Sequence, residues 1–166
     1  MIFSFFGIIV LLIVLTFVWP PDSPWSPWWR TNKKVAKKAC SLAGVSQKDI
    51  VYELGSGDGE FILTAAEKFY AKSAVGIEID YSRYLLSEIK RKLRRVDNAK
   101  FIRSDFKKIK LHEASVVYFY LVPRVIERIL PKLKKELRPG TKVISYRYEM
   151  PLTLIKKKDG LYLYKI

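Results

Sequence analysis

Hydrophobic and polar positions follow two different periods along this chain, and the changes between them outline its elements. Met1 to Trp19 carries no charged side chain, and only Ser4, Gly7 and Thr16 interrupt a run of Ile, Leu, Val and Phe. That is about the length a helix needs to span a bilayer core. No basic region precedes the run and no small-x-small cleavage site comes after it, so residues 1–19 read as a retained transmembrane anchor rather than a cleaved signal. Pro20, Pro21, Pro24 and Pro27 then make residues 20–32 a short, stiff linker. Trp19, Trp25, Trp28 and Trp29 cluster just after the span, where indole rings favour the headgroup layer. For Trp28 and Trp29, packing on the domain beyond is the alternative.

Residues 33–166 alternate between helical and strand patterns. Asn32 is expected to cap a helix to Ala43, with Val35, Ala36, Ala39, Cys40 and Ala43 on one face and Gly44 as its stop. Ile50 to Leu54 reads as a buried strand, and residues 60–70 as a helix carrying Phe61, Ile62, Ala65, Ala66 and Phe69. Ala74 to Ile79 is the second strand. Residues 82–95 form a helix with Leu85, Ile89, Leu93 and Val96 as its expected buried stripe and Lys90, Arg91, Lys92, Arg94 and Arg95 opposite. Lys100 to Arg103 is a third strand, and Ser115 to Val122 a fourth, continuously apolar and aromatic after its serine. A helix with Val125, Ile126, Ile129, Leu130, Leu133 and Leu137 on one face ends at Pro139-Gly140. Lys142 to Tyr148 is a fifth strand, and Asp159-Gly160 marks a closing hairpin. This order implies an α/β fold whose parallel strands are finished by a C-terminal antiparallel hairpin.

Composition narrows the chemistry. One cysteine, Cys40, excludes an intramolecular disulfide and a cysteine-rich zinc site. One histidine, His112, leaves no histidine-based metal site, so no metal is expected. The net charge of +15 calls for an anionic neighbour, either nucleic acid or an anionic lipid surface. Arg30, Lys33, Lys34, Lys37 and Lys38 come after the apolar run while no cation precedes it. The positive-inside rule then places the domain on the cytoplasmic side of a membrane.

The chain is organised around Glu53-Leu54-Gly55-Ser56-Gly57-Asp58-Gly59-Glu60, a strand running through a glycine turn into a helix. Such a junction suits a nucleotide-like cofactor. A dinucleotide fingerprint would need its third glycine at position 60, where this chain has Glu60. Glu53, Asp58 and Glu60 would repel a phosphate and suit a cationic ligand with an amino group, such as S-adenosylmethionine. An ordinary glycine turn and another nucleotide site are the alternatives. Glu78 lies beyond the turn at the distance from which an acid can accept both ribose hydroxyls.

The Glu-x-Gly-x-Gly-x-Gly pattern resembles the first motif of Rossmann-like class I methyltransferases. The resemblance implies binding of S-adenosyl-L-methionine at Glu53, Gly55, Ser56, Gly57, Asp58, Gly59 and Glu78. It further implies that Asp105 lies near the adenine amino group and that Phe106 covers the ring. Tyr120-Leu121-Val122-Pro123 departs from the Asp- or Asn-led sequence usual in methylation of base amino groups. Adding Tyr146-x-Tyr148-x-Met150-Pro151, the chain resembles small, often membrane-anchored protein-lysine methyltransferases, the family with members acting on the c-ring protein of ATP synthase and on the ADP/ATP carrier. That resemblance implies a lysine of a membrane or membrane-associated protein as methyl acceptor. Pro27-Trp28-Trp29-Arg30-Thr31 stands where the family carries a Pro-aromatic stretch ending in Thr, which adds Thr31 to the cofactor site. Tyr120 and Tyr148 are expected beside the incoming amine, and Glu149 to orient its ammonium. Tyr118 and Tyr120 share a strand face, so one or both can instead be core. An RNA methyltransferase using the basic faces and a non-catalytic cofactor-binding adaptor are the rival readings.

Overall fold

The computed structural model describes residues 7–12 and 29–166. Residues 7–12 are helical and exposed. The rest of the expected anchor and most of the linker, including Trp19, Trp25 and Trp28, lie outside the described residues. Among the described residues no helix is long and apolar enough to cross a membrane.

The strands are β1 (Ile50–Leu54), β2 (Ser73–Glu78), β3 (Ala99–Arg103), β4 (Val116–Phe119), β5 (Lys142–Tyr146), β6 (Leu154–Lys158) and β7 (Leu161–Lys165). The helices are α1 (Lys33–Ala43), α2 (Glu60–Lys68), α3 (Tyr81–Arg94) and α4 (Pro123–Glu136), with a single 3-10 turn at Phe106–Lys108. One seven-stranded sheet runs in the order β3-β2-β1-β4-β5-β7-β6. Strands β1 to β5 pair in parallel and β7 is antiparallel to both β5 and β6. The strand order reverses between β1 and β4, the position where open α/β sheets leave a crevice for a ligand.

Local chemistry accounts for the junctions. The Asn32 side chain accepts the Val35 amide at 2.9 Å, and Gly44, left-handed at φ 60°, closes α1. The α1 residues Ala36, Ala39, Cys40 and Ala43 pack with α2 and the inner side chains of β1, β4 and β5 in one apolar cluster. The second cluster covers the other sheet face, with Val125, Ile126, Ile129, Leu133 and Leu137 contributed by α4 and its cap. Asp159 and Gly160 both have positive φ, the conformation a two-residue hairpin of primed type requires.

Three expectations are corrected. β4 stops at Phe119 rather than Val122, because its neighbour β1 turns away after Leu54, the residue opposite Phe119. β5 stops at Tyr146 rather than Tyr148, where Arg147 adopts φ 72° and its amide donates to the Gly160 carbonyl at 2.7 Å. The third concerns α3, whose Leu85, Ile89 and Leu93 are exposed rather than buried. Its inward face carries Arg83 and Ser87, and of the expected stripe only Val96, beyond the helix, is in the core.

Candidate functional site

At the carboxyl end of β1 the chain makes its glycine turn against β2. The amides of Gly55 and Ser56 both donate to the Ile77 carbonyl at 2.9 Å, and the Gly59 amide returns to the Ser56 carbonyl at 2.8 Å. Gly55, Gly57 and Gly59 all have positive φ, which an L side chain would strain. Gly59 and Gly76 also accept the close approach of Phe101. A Cβ at Gly59 would lie 2.4 Å from its ring and one at Gly76 2.5 Å. These two glycines therefore let β3 press against the turn, a packing role that spacing alone does not reveal.

The acids are grouped around this turn. Glu78, at the end of β2, accepts the Gly57 amide at 2.7 Å and the Asp80 amide at 3.0 Å, one on each carboxylate oxygen. Burial nevertheless pushes its carboxyl above the usual range, with the two amides and Arg83 pulling the other way. Glu53 is buried at 3 % exposure, and its Oε2 has no hydrogen-bond partner. Desolvation, then the nearby Asp58 and Glu78, raise its carboxyl well above the carboxylate range. The buried Ser56 hydroxyl is likewise unpartnered. Asp58 is held by Arg30 and by Lys90, the latter at 2.6 Å, and Glu60 by Arg94 at 2.8 Å.

A second group lies where β4 and β5 end. Tyr120, just beyond β4, meets Trp29 at 5.7 Å between ring centroids and the edge of Tyr146 at 4.7 Å. Trp29 also stacks on Tyr148 at 6.5 Å and 25°. Four rings thus form a half-open aromatic wall. Burial raises the Tyr120 hydroxyl, partly offset by Arg147.

Residues 29–31 join the two groups. Trp29 belongs to the aromatic wall, Arg30 pairs with Asp58, and Thr31 Oγ1 lies 3.0 Å from the Tyr118 hydroxyl. Tyr118 is fully buried and stacks on Phe61 at 4.0 Å, so of the two tyrosines expected on one face of this strand it is the core residue.

Of the expected site residues, Glu53, Gly55, Ser56, Gly57, Asp58, Gly59 and Glu78 come together at the turn, while Thr31 is buried against the Tyr118 hydroxyl. Tyr120 and Tyr148 share the aromatic wall. Asp105 caps the 3-10 turn by accepting the Lys107 amide at 2.9 Å, with half-buried Phe106 packed on the second cluster. Glu149 is exposed and pairs with Lys157 at 3.1 Å. Arg30 and Lys90, which hold Asp58, are site neighbours that the sequence does not reveal. The tyrosine pair at 146 and 148 was a usable signal for the wall, whereas a pairing across 28 residues, as between Arg30 and Asp58, leaves no periodic trace.

The donor set fits S-adenosylmethionine. An unpartnered buried carboxylate oxygen and hydroxyl at Glu53 and Ser56 suit a ligand amino group, and the Glu78 oxygens, each holding one amide, keep lone pairs for ribose hydroxyls.

Comparisons with known proteins point to the same cofactor. A family profile described as the ANTKMT methyltransferase domain matches residues 53–156. A protein-lysine N-methyltransferase of Saccharolobus islandicus is 39% identical over 158 residues, covering 86% of this chain and 95% of that protein. The human lysine N-methyltransferase named for the C-type subunit of ATP synthase is 34% identical over 60% of this chain, but the match spans only 42% of its length. A crystal structure titled as an RNA methyltransferase from Salinibacter ruber with S-adenosyl-L-homocysteine superposes with a TM-score of 0.77 and 33% identity, covering 83% of this chain and 94% of the other.

Proposed function

The chain belongs to the ANTKMT methyltransferase family and is an S-adenosylmethionine-dependent methyltransferase; from that premise we propose that it methylates the side-chain amine of a lysine in a membrane or membrane-associated protein. The observation that carries the lysine reading is the four-ring wall joined to the acidic turn by adjacent residues, Trp29 in the wall and Arg30 paired with Asp58. Aromatic faces attract an alkylammonium by cation–π contact, worth roughly 0.5–2 kcal/mol. The same rings strip water from it, which favours the neutral, nucleophilic amine.

The residues divide the work. Glu53, Ser56 and Glu78 hold the cofactor through its amino group and ribose, and Asp105 and Phe106 are proposed to flank the adenine. S-adenosylmethionine held there would supply a sulfonium-bound methyl group for transfer to the neutral amine, the sulfur leaving as the thioether of S-adenosylhomocysteine. Tyr120 and Tyr148 confine the lysine stem. The Tyr120 hydroxyl stays protonated at neutral pH because its burial raises it further, so it acts as a hydrogen-bond partner to the amine rather than as a base.

The membrane reading is supported by the charge-free run at 1–19 and by the cations beyond it, a pattern that suits a catalytic domain on the cytoplasmic face. A second reading, methylation of RNA, is favoured by the Salinibacter relative and the net charge of +15. Transfer of radiolabel from S-adenosylmethionine to membrane, soluble and RNA fractions of the source cell tests both. Label expected in a membrane protein, mapped to lysine and lost with Glu78→Ala, supports the proposal. Label in RNA alone overturns it.

A further inference from the structure

Helix α3 is amphipathic in the opposite sense to a core helix. Tyr81, Leu85, Ile89 and Leu93, each four residues apart, line its outer face with exposures of 54%, 43%, 46% and 79%. The spacing places them in one stripe. The charges that would ordinarily keep such a face in water are turned inward, Lys90 to Asp58 and Arg94 to Glu60, while Arg91 pairs with Glu88 along the helix. Cations bracket the stripe at both ends. The Arg103 guanidinium lies 5.0 Å over the Tyr81 ring, and exposed Lys92 and Arg95 flank Leu93.

We propose that α3 is a bilayer-docking helix, seating Leu85, Ile89 and Leu93 among the acyl chains of an anionic membrane while Lys92, Arg95 and Arg103 contact headgroup phosphates. An apolar stripe with basic ends has the chemistry of an interfacial helix, whose binding sums buried apolar area and attraction to anionic lipid. Charge argues against a second copy as the occupant. Whether two such helices lay parallel or antiparallel, a cationic end would meet a cationic end. RNA is disfavoured by the stripe itself, since four apolar side chains offer nothing to a phosphate backbone. This contact is additional to an anchor at residues 1–19 and does not depend on the identity of the methyl acceptor. It would fix the rotation of the catalytic domain about any tether.

The test places a nitroxide label at Leu93→Cys or Leu85→Cys in the full chain, with exposed Lys134→Cys on α4 as control. The native Cys40 is buried with its thiol pushed up by desolvation, so it stays unreactive in the folded protein. On phosphatidylcholine vesicles containing phosphatidylglycerol, labels at 85 and 93 should lose access to a water-soluble nickel chelate and gain access to oxygen several-fold, with position 134 unchanged. Labels at 85 and 93 that remain as water-accessible as 134 overturn the proposal. Dipolar broadening between labels at 93 would overturn it for self-association, and protection by RNA rather than vesicles would overturn it for nucleic acid. Methyl transfer by the same labelled chains reports separately on the enzymatic reading.

Discussion

Glu78 and Gly57 are tied by a 2.7 Å hydrogen bond from the Gly57 amide to the Glu78 carboxylate, so the acid that ends β2 is oriented by the turn that ends β1. Neither can move without the other. Charge-assisted hydrogen bonds are worth about 1.5–3 kcal/mol. Glu78→Ala should therefore weaken S-adenosylmethionine binding by roughly 10- to 100-fold or more. Titration calorimetry on the folded variant checks this, and unchanged affinity would remove Glu78 from the site.

Glu53 makes the unliganded protein sensitive to pH. Its folded carboxyl titrates well above its unfolded one because of burial and of Asp58 and Glu78. The folded state then holds the proton more tightly, and the stability from this group is full below the unfolded pKa of about 4.3 and is lost as pH rises toward the folded value. Glu53→Gln should raise the urea midpoint near neutral pH and have little effect in acid, while weakening cofactor binding. A midpoint difference that is constant with pH would contradict it.

The aromatic wall should separate acceptor recognition from cofactor recognition. Tyr120→Ala and Trp29→Ala are each expected to lower kcat/KM for the protein acceptor by roughly tenfold, about one cation–π contact with its desolvation. Cofactor affinity should change little. Glu149→Gln should leave the rate near that of the parent, since that carboxylate pairs with Lys157 at the surface.

Phe101 pressed against two glycines predicts a stability effect without any cofactor. Gly76→Ala should cost about 1–3 kcal/mol by overpacking. Combining it with Phe101→Leu should recover part of that loss, as read from the denaturant midpoint. Additive losses would show that the strain lies elsewhere.

How far the sequence could be read depended on the range of the interaction. The strand, turn and helix around Gly55 were legible because glycines and apolar runs act locally, as were the Asn32 and Gly44 caps and the Asp159-Gly160 hairpin. Leu85, Ile89 and Leu93 misled because a periodic stripe identifies an apolar face but not the direction it points. Here Asp58 and Glu60, more than twenty residues away, draw Lys90 and Arg94 inward and turn the stripe out. The apolar run up to Pro123 puts Tyr120 in a strand, but the length of β4 is set by where β1 leaves the sheet.

The joining of both groups by residues 29–31 gives the protein two different starting points. The folding unit begins where Asn32 caps α1, because every strand and helix of the sheet lies beyond it. The reacting unit begins three residues earlier. A fragment cut at Lys33 would keep the sheet while losing one ring of the aromatic wall, a cationic partner of Asp58 and the hydroxyl beside Tyr118. Whatever pulls on the chain ahead of Trp29 therefore pulls on the aromatic wall first, with three peptide units, roughly 10 Å when extended, between that ring and the Asn32 cap. An anchor of the kind proposed at residues 1–19 would act on the proposed site through this one connection.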